Sequence, residues 1–198
     1  ANLASAMRYM AGATVVSDAP EHWIDFARLS NAAALATEDS GEASKYFNQA
    51  RDAAIAGYLR AEGGAQEANA LTELAIALER LDRGRATIPA LRLAQAASPR
   101  DDTAAALDRA LGLFGFRVTD TSVDSDAASP RVCATFSEPL VEAGVDYAPF
   151  VGSETSGLAV TASDRQLCIE GVSHGERYRF ALRAGLPAAS GEMLAKPV

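Results

Sequence analysis

Apolar positions recur at helical spacing from Asp18 onward and switch to strand-like alternation at Phe116. Trp23, Phe26, Ala27 and Leu29 to Ala33 make the first helical run. Asp18 precedes it and can accept first-turn amide hydrogens, and Pro20 fits where no amide hydrogen is needed. Glu38 to Gly41 breaks the pattern, and Ser40 can cap a second helix with Ala43, Tyr46, Phe47, Ala50, Ala54, Tyr58 and Leu59 on one face. Gly63-Gly64 ends it. A third helix carries Ala68, Leu71, Leu74, Ala75, Leu78 and Leu81 and stops near Gly84. A fourth runs from about Thr87 through Ile88, Leu91, Ala94 and Ala97 to Pro99. A fifth starts at Asp101-Asp102, turns Ala105, Leu107, Ala110, Leu111 and Phe114 inward, and stops at Gly115. Residues 1–17 show neither period cleanly and stay unassigned, as a strand or as an N-terminal arm packing on the next module.

Beyond Gly115 the period is two. Phe116–Val123 alternates as a half-buried strand does, and Asp124 to Pro130 is a polar turn. Further strands are expected at Arg131–Phe136, Val145–Val151, Gly157–Thr161, Gln166–Glu170 and Arg177–Arg183, bounded by Gly, Ser or Asp. Short strands at this spacing imply an antiparallel sandwich. The fold class expected is therefore α+β in two segregated modules. Residues 18–115 form an all-α module of helical hairpins, and residues 116–198 form an antiparallel β-sandwich that reads as cut short at its C-terminal end.

Composition narrows the function. Apolar residues are 48% and charged residues 22%, ordinary for a globular protein. Net charge is -8, and each half, split at residue 114, carries -4. A nucleic-acid binder shows a basic patch, which this balance gives no sign of. No run approaches the roughly 20 apolar residues that span a bilayer. The first residues lack the basic-then-apolar order of a signal peptide.

Cys133 and Cys168 are the only cysteines, 35 residues apart and each mid-strand. A bridge between them would restrict the unfolded chain by roughly 3–4 kcal/mol on the loop-entropy model. The rival is a pair of buried thiols in a reducing compartment. A structural zinc needs about four ligands, and only His22 and His174 could join the cysteines, with His22 in the other module. Cys168-Ile-Glu-Gly171 has glycine where a Cys-x-Glu-Gln thioester needs glutamine, so no thioester forms here. His174, between Ser173 and Gly175, has no Gly-x-Ser-x-Gly elbow to serve. Asp124, Asp126 and Glu138 lack the spacing of an EF-hand loop. Phosphate-loop and dinucleotide fingerprints are missing. The chain reads as non-catalytic, with no cofactor and no metal.

Several stretches carry a resemblance. Phe114-Gly-Phe-Arg-Val118, then Val123-Asp-Ser-Asp-Ala-Ala-Ser-Pro-Arg-Val-Cys-Ala-Thr-Phe-Ser-Glu-Pro-Leu140, resembles the N-terminal part of bacterial alpha-2-macroglobulins. Leu167-Cys-Ile-Glu-Gly171, Tyr178 and Arg183-Ala-Gly-Leu-Pro-Ala-Ala-Ser-Gly-Glu192 are similar to the same family further on. The helical stretch resembles the segment preceding this β-domain in long members, and Ala68 to Arg100 resembles one degenerate tetratricopeptide repeat. The resemblance implies a macroglobulin-type β-domain at the head of a large periplasmic protease trap, often a lipoprotein anchored to the inner membrane. The partners it implies are proteases, reached through the full-length parent. The parent's bait region and any thioester would lie beyond Val198, which makes this chain a scaffold fragment. The periplasm is oxidising, which permits a Cys133–Cys168 bond on neighbouring strands. A different reading makes the helical hairpins a periplasmic module that holds a peptide or protein partner.

Overall fold

The computed structural model describes residues 3–126, 129–153 and 157–198. The chain divides into two compact units, Ala1–Phe114 and Gly115–Val198.

The first unit is helical. Its elements are α1 (Leu3–Val16), α2 (Pro20–Ala36), α3 (Ser40–Arg60), α4 (Gly64–Arg80), α5 (Gly84–Ala97) and α6 (Asp101–Phe114). Successive helices are joined by only three residues each, which turns each one back against its predecessor. In addition, α2 packs on α4. Alanine makes the contacts: Ala27, Ala50, Ala54, Ala68, Ala70, Ala77 and Ala94 are wholly buried. Side chains that small let helix axes approach closely, and larger residues such as Ile24, Phe26, Phe47, Leu71, Ile88 and Leu91 fill the remaining space.

Several local expectations change. In the unassigned N-terminal stretch, Leu3–Val16 is a helix rather than a strand, and it packs on the next helices by burying Met7 in the cluster of Phe26, Ala27, Ala33, Ala53 and Ala54. Asp18 does not cap α2: the N-cap is Ala19 with no side-chain bond, and Asp18 instead accepts from Arg60 and from Trp23 Nε1. Asp39, not Ser40, caps α3 by accepting the Glu42 amide at 2.8 Å. The helix expected from Thr87 begins one turn earlier at Gly84 and carries Pro89 inside it.

Polar bonds tie alternate helices. Glu73 of α4, 9% exposed, accepts Asn31 Nδ2 at 2.9 Å and Arg28 Nε at 3.2 Å, both from α2. Arg109 of α6 makes a two-pronged pair with Glu79 of α4 at 2.8 and 2.7 Å. Arg100 donates to Asn69, Thr72 and Thr103, pinning the α5–α6 turn onto α4.

The second unit is antiparallel β. Its strands are β1 (Val118–Asp124), β2 (Arg131–Phe136), β3 (Val151–Ser153), β4 (Ala159–Ser163), β5 (Gln166–Glu170) and β6 (Phe180–Leu182). One sheet has the order β1-β2-β5-β4, and a smaller one pairs β3 with β6. The core draws on both: Phe116, Phe136, Leu140, Tyr147, Leu167, Ile169, Leu182, Leu186, Ala188 and Leu194. Phe116 and Phe136 stack at 4.9 Å.

The strand expected at Val145–Val151 is not one. Ala148–Phe150 is a 3-10 turn containing Pro149, and β3 starts only at Val151. Tyr147 explains the detour. Its hydroxyl accepts the Val141 amide at 2.8 Å and donates to the Pro187 carbonyl at 3.0 Å, holding the chain as an irregular crossing. The strand expected at Phe116–Val123 forms as Val118–Asp124 without the expected alternation: Phe116 lies buried before it, and within β1, an edge strand, only Val118 and Asp124 are half-buried. The turn expected over Asp124 to Pro130 falls partly outside the described residues.

Candidate functional site

Cys133 and Cys168 are bonded to each other. They face one another across β2 and β5 as the middle of five paired positions, with Cα atoms 4.1 Å apart. Side chains alternate faces along a strand. Ala134 and Phe136 of β2, and Leu167 and Ile169 of β5, lie in the core, so the bridge lies on the sheet's other face. That face is otherwise mostly polar, carrying Ser122, Thr135, Thr161, Gln166 and Glu170, with Ala159 among them. Both cysteines are nonetheless buried, at 5% and 6% exposure, so the centre of β5 is covered on both faces.

The bridge disposes of the sulfur chemistry considered above. Neither cysteine is free, so Cys168 is no thioester nucleophile and neither is a thiolate metal ligand. No group of three His, Cys, Asp or Glu side chains could hold a metal among the described residues. Asp124 pairs with Arg131, Asp126 accepts from Ser125, and Glu138 accepts from Ser190, so the three acids do not converge.

The histidines lie in different units. His22 sits in the first turn of α2 with Nδ1 3.4 Å from the Ser17 carbonyl. His174 is exposed at the rim of a cavity of about 280 Å³ lined by Val123, Val132, Val172, Tyr178 and Phe180. No hydroxyl or carboxylate hydrogen-bonds its ring among the described residues. The neighbouring Tyr178 hydroxyl accepts the Ser173 amide at 2.9 Å, closing that turn.

The helical unit holds a larger concavity, about 520 Å³, between α2 and α3. Trp23, Phe26 and Ala53 supply its apolar lining, and Ser44, Lys45, Asn48, Gln49 and Asp52 its polar one. At one end the Arg60 guanidinium lies 4.9 Å from the Trp23 ring centroid. The hydrogen bond from Arg60 chiefly, then that from Trp23, holds the Asp18 carboxyl below the usual aspartate range. The sequence carries no signal for this concavity, because Trp23 sits at an interior-looking helical position and meets Ser44 to Asp52 only through the pairing of α2 with α3. No helix is long and apolar enough to cross a membrane among the described residues.

No protein-family model, curated protein or solved structure matches this chain.

Proposed function

We propose that the chain is a non-catalytic scaffold segment of a larger periplasmic protease trap of the alpha-2-macroglobulin kind. In this reading the helical unit is a stack of tetratricopeptide-like hairpins and the β unit is a macroglobulin-type sandwich. One observation carries it: the stretches that bear the resemblance meet one another in the β core. Leu140 bridges to Ala188, the Ala189 amide donates to the Pro139 carbonyl at 2.9 Å, and the Ser190 hydroxyl donates to Glu138. Arg131–Phe136 and Gln166–Glu170 are the two paired inner strands. These residues frame the β unit, which supports a scaffold role. The disulfide supports an oxidising compartment.

The test is steric. The natural full-length gene product is incubated with proteases of different specificity and assayed on a protein substrate and on a small chromogenic peptide. A trap suppresses cleavage of the protein and spares the peptide, while residues 1–198 alone suppress neither. Equal cleavage of both substrates at every ratio of product to protease overturns the proposal.

The concavity between α2 and α3 favours a second reading, a peptide- or protein-binding module. Its aromatic floor and polar rim suit a segment with an apolar side chain. Trp23→Ala together with Phe26→Ala should then abolish partner capture, and undiminished capture removes this reading.

A further inference from the structure

We infer that the Cys133–Cys168 bond is a redox-conditioned lock on a joint between two hairpins that otherwise separate as units. The topology of the four-stranded sheet carries the inference. β1 and β2 are neighbours in sequence, and so are β4 and β5, which are joined by only Asp164-Arg165 with Asp164 at φ 49°. Each hairpin closes locally. The ladder between β2 and β5 is the sheet's single long-range pairing, crossing 35 residues of sequence at its cysteines. The bond sits on the third of the five pairs of that ladder and on no other. Closing a long-range pairing costs more chain entropy than closing a hairpin, so an unbonded sheet opens first at this joint.

The bond also lies on the face away from the hydrophobic core. Reduction therefore alters no core side chain, and what still opposes opening is the apolar contact that Phe136 of β2 shares with Leu167 and Ile169 of β5. Reduction breaks one S–S bond and forms two thiols, with an external dithiol oxidised to its own disulfide. In an oxidising compartment the two hairpins form one rigid sheet. In a reducing one the joint opens by itself and exposes the inner edges of β2 and β5.

The hydrogen-bond phase supplies a readout within single strands. The Cys133 and Cys168 Cα atoms are as close as a non-hydrogen-bonded antiparallel pair, and the Phe136 amide donates to the Arg165 carbonyl while the Ser137 amide donates to the Arg117 carbonyl. Amides of Val132, Ala134, Leu167 and Ile169 therefore point into the joint. Those of Cys133 and Thr135 point to β1, and that of Cys168 points to β4.

The experiment is residue-resolved amide exchange on the full chain, comparing wild type with the Cys133→Ala/Cys168→Ala double variant. The joint amides should lose several-hundred-fold of protection (roughly 10²–10³), the scale expected when a loop of this length is no longer cross-linked. The hairpin amides at positions 133, 135 and 168 should fall far less. Equal loss at both sets, or loss at neither, overturns the inference. If the variant does not fold, exchange is read on wild type reduced with dithiothreitol in sulfate, which strengthens burial. Unfolding of every disulfide-free form even there also overturns it, because the joint and the hairpins would then be one cooperative unit.

Discussion

Replacing Gly64 with alanine should destabilise the helical unit, although alanine is the better helix former. A Cβ built on Gly64 would stand 2.2 Å from the Ala97 carbonyl oxygen and 3.1 Å from its carbon. These are main-chain atoms closing α5, and they cannot swing aside as a side chain can. Forcing extra volume into a packed contact costs about 1–3 kcal/mol. The helix-propensity gain works against that cost and reaches only about 1 kcal/mol in a helix interior, with less at the first residue of a helix. The contact wins, leaving a net loss of about 1–2 kcal/mol. Gly12 is the control. It lies within α1 with nothing within 4 Å of its would-be Cβ, so Gly12→Ala should stabilise by about 0.5–1 kcal/mol. The chain's single tryptophan, Trp23 in α2, lets fluorescence follow this unit alone during urea unfolding. With a urea slope near 2 kcal/mol/M, the midpoint should fall by about 0.5–1 M for Gly64→Ala and rise slightly for Gly12→Ala. A Gly64→Ala protein that unfolds at the wild-type midpoint or above it would refute this packing of α4 on α5.

Three further outcomes are expected. Glu73→Ala should lower the same unfolding transition by about 2–3 kcal/mol, since it strips a charged acceptor from buried Asn31 and from Arg28; a Glu73→Ala midpoint equal to that of Glu73→Gln would contradict the bonding described. Tyr147→Phe should cost the β unit about 1–3 kcal/mol and speed exchange of the Val141 amide, which loses its acceptor; unchanged Val141 exchange would show that the hydroxyl does not hold that crossing. Asp18 should titrate below the ordinary aspartate range, and Arg60→Gln should raise it, as read by carboxyl NMR shifts. Because the folded value is the depressed one, the Asp18 contribution is present above the unfolded pKa and is lost as pH falls through the folded pKa. A carboxyl shift curve that is the same with and without Arg60 would remove the pairing.

What the sequence revealed and what it hid follow one physical division. The helices from α2 to α6 repeat an apolar face every three or four residues, and that signal is local. Helix α1 escaped because it buries only Met7 and leaves Tyr9, Val15 and Val16 exposed, so no stripe marks it. Asp18 looked like a cap because a carboxylate before a helix usually is one, yet a guanidinium 42 residues away claims it. Tyr147 holds Val141 and reaches Pro187, 40 residues on from itself, and turns an apparent strand into a crossing. The alternation around Cys133 showed two faces without showing which one the core occupies, because β5 is buried on both at its centre. The misses at Asp18 and Tyr147 are contacts between distant parts of the chain, whereas the cap at Asp39 and the start of α5 at Gly84 are local shifts of one to three residues. The same division bears on function. The motifs that carry the resemblance are legible because they are short and contiguous, and the fold uses them at Leu140, Ala188 and the β2–β5 ladder to hold itself together. Residues spent on framing a core leave the action of the β unit to its surroundings, which is why the steric assay on the full-length product, and not a substitution within these motifs, decides between trap and binding module.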